Sequence, residues 1–209
     1  IQEHFECDGI VILSAGSSWS LSVPQAKQLY DWATSYLTRL LHTIRSKGLQ
    51  GSLENAGFDV IHLRGKDRYE MVPPAGELEK DVGFLQDTEA PWMPVIHKLL
   101  GSSACLIHRG FFALYPAGAT QEYHQDGPPA ATRYAVNVFV PLIDMRSELG
   151  PTEFVKGSHV LGMEDYNKNR TDAPILKAGQ PLVFDYRLGH RGLENKHTSV
   201  IRFMYYCTY

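Results

Sequence analysis

Tyr123-His124-Gln125-Asp126-Gly127 sets an imidazole and a carboxylate two residues apart. In an extended strand that spacing puts both side chains on one face. There they can share a cation and leave its other coordination positions open. A second histidine would complete the two-histidine, one-carboxylate set of non-haem Fe(II) oxygenases, which need open positions for a cosubstrate and dioxygen. His-x-Asp alone is a common pair that suits a surface turn equally well, so the assignment depends on what the rest of the chain supplies.

The third ligand should come from a later strand. His190, in Gly189-His190-Arg191-Gly192, follows the apolar run 181–184 and stands where a strand meets glycine-bracketed turns. His4, His42, His62, His97, His108 and His197 have no partner at metal-ligand spacing, and His159 in Gly157-Ser158-His159 reads as a turn-shaping residue. An anionic cosubstrate also needs a cation. Arg202 interrupts the hydrophobic run 199–205, and a buried charge must be paired or bind an anion. A guanidinium meets a carboxylate through two parallel hydrogen bonds. An internal salt bridge is the competing explanation, and the preferred one if the metal pattern is set aside.

These residues need elements to hold them. Residues 5–13 read as a short strand broken by Asp8-Gly9. Val23-Pro24 opens a helix with proline in its first turn. Leu29, Trp32, Tyr36, Leu37, Leu40, Leu41 and Ile44 recur at three- and four-residue steps and form one apolar face ending near Gly48. Periodicity is lost over 51–90, apart from a possible strand at 58–63, and a loop that long is a functional lid or a disordered segment. Residues 91–100 form a short helix ended by Gly101. Beyond 103, β-rich runs at 105–114, 121–126, 133–143, 152–155, 180–185 and 199–206 alternate with turn signals, as in a β-sandwich or barrel. The expected fold is α+β, mainly β, in one domain over 1–209. N-terminal helices at about 1–102 buttress a double-stranded β-helix core (a cupin-like jelly roll) at about 103–209.

Composition sets limits. A chain of 209 residues with 44% hydrophobic and 21% charged residues is ordinary for a globular domain with a sizeable core. A net charge of −3, without a run of Lys and Arg, leaves no nucleic-acid footprint. No apolar run approaches the ~20 residues of a membrane span. Cys7, Cys105 and Cys207 are far apart in apolar surroundings. They are expected to be buried free thiols in a reduced, intracellular setting, and neither a disulfide framework nor a zinc site. The chain starts without Met and stops in an apolar, strand-like run, the pattern of a domain cut from a longer protein. Oligomeric state is left open.

Four pieces, in order, resemble the phytanoyl-CoA dioxygenase family of Fe(II)/2-oxoglutarate oxygenases. They are Tyr123-His124-Gln125-Asp126, the run 137–142 (Asn-Val-Phe-Val-Pro-Leu), the run 150–159 ending in Gly157-Ser158-His159, and His190-Arg191-Gly192 followed by Arg202. Phe5-Glu6-Cys7-Asp8-Gly9-Ile10-Val11 is similar to the family's first strand, so the resemblance spans most of the chain apart from about 45–100. It implies His124, Asp126 and His190 as ligands of Fe(II), and Arg202 as the partner of the distal carboxylate of 2-oxoglutarate, with O2 as oxidant. Thr152 and Phe139 fall where family members line the cosubstrate pocket. Asn137 shares a strand face with Phe139 and points inward with it. Tyr115, before a turn at the barrel rim, is a further candidate hydrogen-bond donor.

Gly192 departs from the pattern: some relatives carry Ser two positions after the distal histidine, so another residue must supply that hydrogen bond. Halogenating relatives lose the carboxylate that Asp126 provides, which favours hydroxylation here. The implied activity is hydroxylation of a small-molecule, acyl- or amino-acid-type substrate with release of succinate and CO2. Two alternatives stay open, a cupin-type metal enzyme that uses no 2-oxoglutarate and a non-catalytic jelly-roll binding module. Arg64, Lys66, Arg68, Arg133 and Arg187 are candidates for a basic rim. Tyr69, Tyr134, Tyr186 and Trp92 are candidates for an aromatic pocket.

Overall fold

A computed structural model describes residues 2–85, 90–128, 130–161 and 170–209, with Leu161 described by its backbone alone. The chain opens as α1 (Gln2–Asp8) and passes through Gly9 into β1 (Ile10–Ile12). Of the strand expected over 5–13, residues 5–8 are helix and Ile10–Ile12 are strand, with the break at Asp8-Gly9 as expected. Phe5 is the buried residue of α1, and Gly9 at φ +77° breaks the helix so that the chain can enter the sheet.

Ser22 caps α2 (Val23–Ser46). Its Oγ accepts the Gln25 N–H at 3.4 Å while Gln25 Oε1 accepts the Ser22 N–H at 2.9 Å, which satisfies two otherwise unpaired donors. Lys47 closes the helix and Gly48 leaves it at φ +66°. Ala26, Leu29, Ala33, Tyr36, Leu37 and Ile44 are its buried face, at the expected helical spacing.

The next segment, expected as a loop, holds α3 (Gln50–Asn55), a hairpin of β2 (Ile61–Leu63) and β3 (Arg68–Met71), and α4 (Glu77–Asp81). Residues 86–89 lie outside the described residues. Strands this short show no periodicity of their own, and β3 owes its place to pairing with a distant strand. After α5 (Met93–Leu100) come β4 (His108–Leu114), β5 (Val136–Pro141), β6 (Thr152–Val155), α6 (Ser158–Leu161), β7 (Thr171–Asp172), β8 (Leu182–Asp185), β9 (His190–Gly192) and β10 (Arg202–Thr208).

The large sheet runs β1-β8-β5-β10-β4-β3-β2 and the small one β7-β6-β9, with antiparallel pairing throughout. The architecture is that of a jelly roll, mainly β with helices on one side. The large sheet also recruits β1, β2 and β3 from the part of the chain expected to supply helical support; β1 and β2 fall within the strands expected at 5–13 and 58–63, and β3 was not expected.

Period-two alternation divides the core. On β10, Phe203, Tyr205 and Cys207 pack toward the helices with Val136, Val138 and Val140 of β5. Met204 and Tyr206 face the barrel interior with Phe139, Phe154 and Phe184. Phe154 on the small sheet meets Phe184 on the large one at 5.1 Å, so the sheets close on each other. Each fully buried Phe contributes roughly 1.5–3 kcal/mol. Because both faces of β10 are buried, its sequence reads as nearly continuous hydrophobicity.

Cys207 is buried, but Cys7 and Cys105 are exposed, against expectation. Apolar neighbours in sequence did not bury them, because Cys7 lies on the outer side of α1 and Cys105 precedes β4. No helix among the described residues is long and apolar enough to cross a membrane.

Candidate metal and cosubstrate site

His190 is held from both sides. On β9 it pairs with Phe154 of β6. On the other flank His124 and His190 exchange backbone hydrogen bonds, His124 N–H to His190 O at 3.0 Å and the reverse at 2.9 Å. The segment expected as a strand over 121–126 pairs in β fashion only there. One bridge is enough to bring the His124 and His190 rings to 4.5 Å between centroids. The turn before β9 is fixed by Asp185, whose carboxylate accepts from the Arg187 guanidinium at 2.8 Å through Nε and 2.8 Å through Nη2. Burial alone would raise the Asp185 pKa, but these hydrogen bonds hold it below the usual carboxylate range. Ser158 Oγ accepts the Gly189 N–H at 2.8 Å and ties α6 to the same turn.

Both imidazoles present the same nitrogen. His124 Nδ1 lies 3.0 Å from Glu122 O, and His190 Nδ1 lies 2.9 Å from Leu188 O. A carbonyl oxygen only accepts, so each Nδ1 carries the proton and each Nε2 keeps a lone pair, the arrangement a metal ligand needs. Burial lowers the His190 pKa, which keeps that ring neutral and able to bind a cation. Asp126 completes the group, with Oδ1 3.9 Å from His124 Nε2 and Oδ2 3.6 Å from His190 Nε2. The three donor atoms lie within 4.8 Å of one another.

They open onto a cavity of about 590 Å³. Thr152, Asn137, Phe139 and Arg202 all line it. Arg202 is 2% exposed. Its Nη1 donates to Gly150 O at 3.0 Å, while its Nε has no hydrogen-bond partner among the described residues. Burial, and then the charge of Arg68, lowers its pKa to about 9. The salt bridge that competed as an explanation for Arg202 is absent among the described residues.

Tyr115 does not reach the cavity. It follows β4 in phase with Phe111 and Ala113, on the helix side, and packs edge-on against Tyr69 at 5.7 Å. Asn137 faces inward as expected, but its amide is directed at Asp126, to which Nδ2 donates at 2.6 Å.

Arg68 on β3, a candidate for the basic rim, lines the cavity, and sequence reasoning missed Glu70 beside it, His108 on β4, Gln121, and Tyr206 on β10. The available signal was the i, i+2 spacing of Arg68 and Glu70 in the polar run, which puts both on one strand face. Three residues of the expected basic rim are neutralised by carboxylates. Arg64 pairs with Glu70 at 2.5 Å, Arg187 pairs with Asp185 at 2.8 Å, and Arg133 pairs with Glu6 at 2.6 Å. Of the aromatic candidates, Tyr186 lines the cavity. Trp92 is fully buried and donates to Tyr209 Oη at 2.9 Å.

A family model described as phytanoyl-CoA dioxygenase (PhyH) matches residues 66–204. The chain belongs to the phytanoyl-CoA dioxygenase family. PhyH cofactors are Fe(II), 2-oxoglutarate and O2. Two imidazole lone pairs, one carboxylate and an unneutralised buried guanidinium on one cavity fit an iron ion and a dicarboxylate. A curated relative, the dioxygenase hkm4 of Aspergillus hancockii, is 32% identical over 114 residues, which are 48% of this chain and 35% of that protein. The match thus spans about a third of that relative's length.

Among solved structures, the non-haem alpha-ketoglutarate-dependent epimerase SnoN from nogalamycin biosynthesis aligns at TM-score 0.72 and 18% identity, over 99% of this chain and 79% of that one. AviO1 from Streptomyces viridochromogenes Tue57 aligns at TM-score 0.65 and 19% identity, over 99% and 91%. At such identities the likeness is one of fold.

Proposed function

We propose that this protein is a non-haem Fe(II)- and 2-oxoglutarate-dependent oxygenase that hydroxylates a small molecule. The observation carrying the reading is the convergence of His124 Nε2, His190 Nε2 and the Asp126 carboxylate on one cavity that also holds the unpaired Arg202 guanidinium. Bound there, Fe(II) and 2-oxoglutarate supply the oxidation: O2 gives one oxygen atom to a substrate C–H bond and one to the succinate formed as 2-oxoglutarate loses CO2.

The chain's own part is geometry and exclusion of water. His124, His190 and Asp126 would hold the ion through two imidazole nitrogens and a carboxylate. The Glu122 and Leu188 carbonyls fix the two rings. Phe154 and Phe184, at 6.0 and 5.0 Å from the His190 ring, keep water from that ligand. Arg202 would clamp the far carboxylate of 2-oxoglutarate and so orient the acid, with Thr152 and Phe139 on the same cavity wall. Phe112, Met204, Glu70 and His108 give the remaining space a mixed apolar and hydrogen-bonding wall, suited to a compact molecule with polar groups. Asp126 occupies the ligand position that a halide would need, which supports oxygen insertion. Solved neighbours of this fold include an epimerase, a carbocyclase and a monooxygenase.

The test is anaerobic titration of metal-free protein with Fe(II) and then 2-oxoglutarate, followed by the weak visible charge-transfer band of the chelate. The band should form in the wild type and vanish in His124→Ala, after which succinate release screens substrates. Iron binding without a band would remove the cosubstrate assignment and leave a metal enzyme that acts without 2-oxoglutarate.

A further inference from the structure

A Cβ placed on Gly192 would lie 2.6 Å from Arg68 Nη1 and 2.7 Å from Gln121 Oε1. Arg68 therefore occupies the space that any side chain at position 192 would take, including the serine that some relatives carry there. Register explains how it arrives. Leu114 of β4 pairs with Arg68 of β3 on one side and with Arg202 of β10 on the other. The two arginines thus stand at one level of the barrel, two strand spacings apart, and both reach the cavity.

Arg68 is 3% exposed and forms no ion pair among the described residues. Its Nη2 is shared by the carbonyls of Ala119, Gly192 and Leu193 at 3.1, 3.3 and 3.3 Å. Those carbonyls fix the guanidinium plane but do not neutralise it, and its Nη1 makes no hydrogen bond among the described residues. Two uncompensated guanidiniums on one buried wall repel each other. Each is costly to bury without an anion, and a carboxylate between them would relieve both charges.

We propose that Arg68 is a second cation of the cosubstrate site, holding the distal carboxylate of 2-oxoglutarate together with Arg202 in the role that position 192 cannot fill. This rests on the Fe(II)/2-oxoglutarate reading above.

The experiment titrates Fe(II)-loaded protein anaerobically with 2-oxoglutarate and, separately, with pyruvate, which has the same 2-oxo acid end but no distal carboxylate. Arg68→Ala should weaken 2-oxoglutarate about ten- to a hundredfold, change pyruvate by less than about twofold, and leave Fe(II) affinity intact. Arg68→Gln, which keeps an amide for the three carbonyls but no charge, should show the same selective loss and serves if the alanine variant does not fold. Gly192→Ser should crowd Arg68 and weaken 2-oxoglutarate, and R68A/G192S should recover part of the affinity because the hydroxyl gains the vacated space. Unchanged 2-oxoglutarate affinity in both Arg68 variants overturns the proposal. So does an equal loss for both 2-oxo acids, which would mean that Arg68 only shapes the site. If wild type forms no chelate with either acid, the cosubstrate reading itself fails, and this proposal with it.

Discussion

Asn137 Nδ2 donates to Asp126 Oδ2 at 2.6 Å. Behind it, Thr208 Oγ1 donates to Asn137 Oδ1 at 2.6 Å. The residue expected to touch the cosubstrate instead steadies a carboxylate of the metal site and is itself steadied from β10. Groups that orient metal ligands in this way alter metal affinity about 10–100-fold when removed. Asn137→Ala should therefore weaken Fe(II) binding by that factor. Thr208→Val should weaken it less, and Thr208→Ser should behave as wild type. Calorimetric metal titration decides it, and an unaltered affinity in Asn137→Ala would remove the relay.

Arg202 makes one hydrogen bond and no ion pair among the described residues. Its burial is a cost to the protein without cosubstrate. Arg202→Met should thus raise the stability of the metal-free protein by on the order of 1 kcal/mol while weakening 2-oxoglutarate at least tenfold and sparing Fe(II). Urea denaturation and cosubstrate titration read the two effects separately. A variant that is less stable and binds 2-oxoglutarate normally would contradict both halves.

His159 was expected to shape a turn, and it lies buried at the start of α6. Burial lowers its pKa, against the opposing pull of Asp185, with Arg187 and Arg133 also facing it. The unfolded chain takes up a proton near the ordinary value of about 6.5, where the folded protein does not. Its contribution to stability is therefore complete above that pH and is lost as pH falls below it, at up to about 1.4 kcal/mol per pH unit. Buried His190 acts with the same sign in metal-free protein. His159→Gln should flatten, but not abolish, the decline between pH 7 and 5 in denaturation midpoints. Parallel curves for variant and wild type would clear His159 of the effect.

Gly127 closes the His-x-Asp segment, and a Cβ there would overlap Tyr134 Oη and the Tyr186 ring. Those two rings pack edge-to-face at 6.0 Å, and Tyr186 forms part of the cavity wall. Gly127→Ala must displace the pair, at a cost of about 1–3 kcal/mol, and should shift Tyr186 toward the metal ligands. Chemical denaturation tests the first effect, and the chelate band position tests the second. Wild-type stability would mean that the rings move freely.

The donor set and Arg202 were legible in the sequence because metal and anion binding demand those residue types whatever the local structure. So was α2, whose 24 residues carry several turns of one apolar face. Arg68 was legible only as one of five candidates for a basic rim, and Glu70 and His108 were not legible. Their positions follow from pairing of β3 with β4, and that pairing is a long-range fact invisible to a four-residue run. Tyr115 was misassigned because a strand's phase, not its nearness to a turn, decides which face a side chain takes. Cys7 was misassigned because a seven-residue helix resting on Phe5 alone leaves its other side in water.

β10 lies between β4 and β5, and the Thr208–Asn137 contact closes a span of 71 residues. Ordering so distant a pairing is slow, because chain entropy is lost before the contacts form. Arg202 and the Thr208–Asn137 support of Asp126 enter together when β10 docks. A finished site therefore exists only after the slow step. Before that step iron could meet His124, Asp126 and His190 but neither Arg202 nor the Thr208 end of the Asn137 support, so tight holding of the dicarboxylate and a steadied Asp126 arrive together with β10.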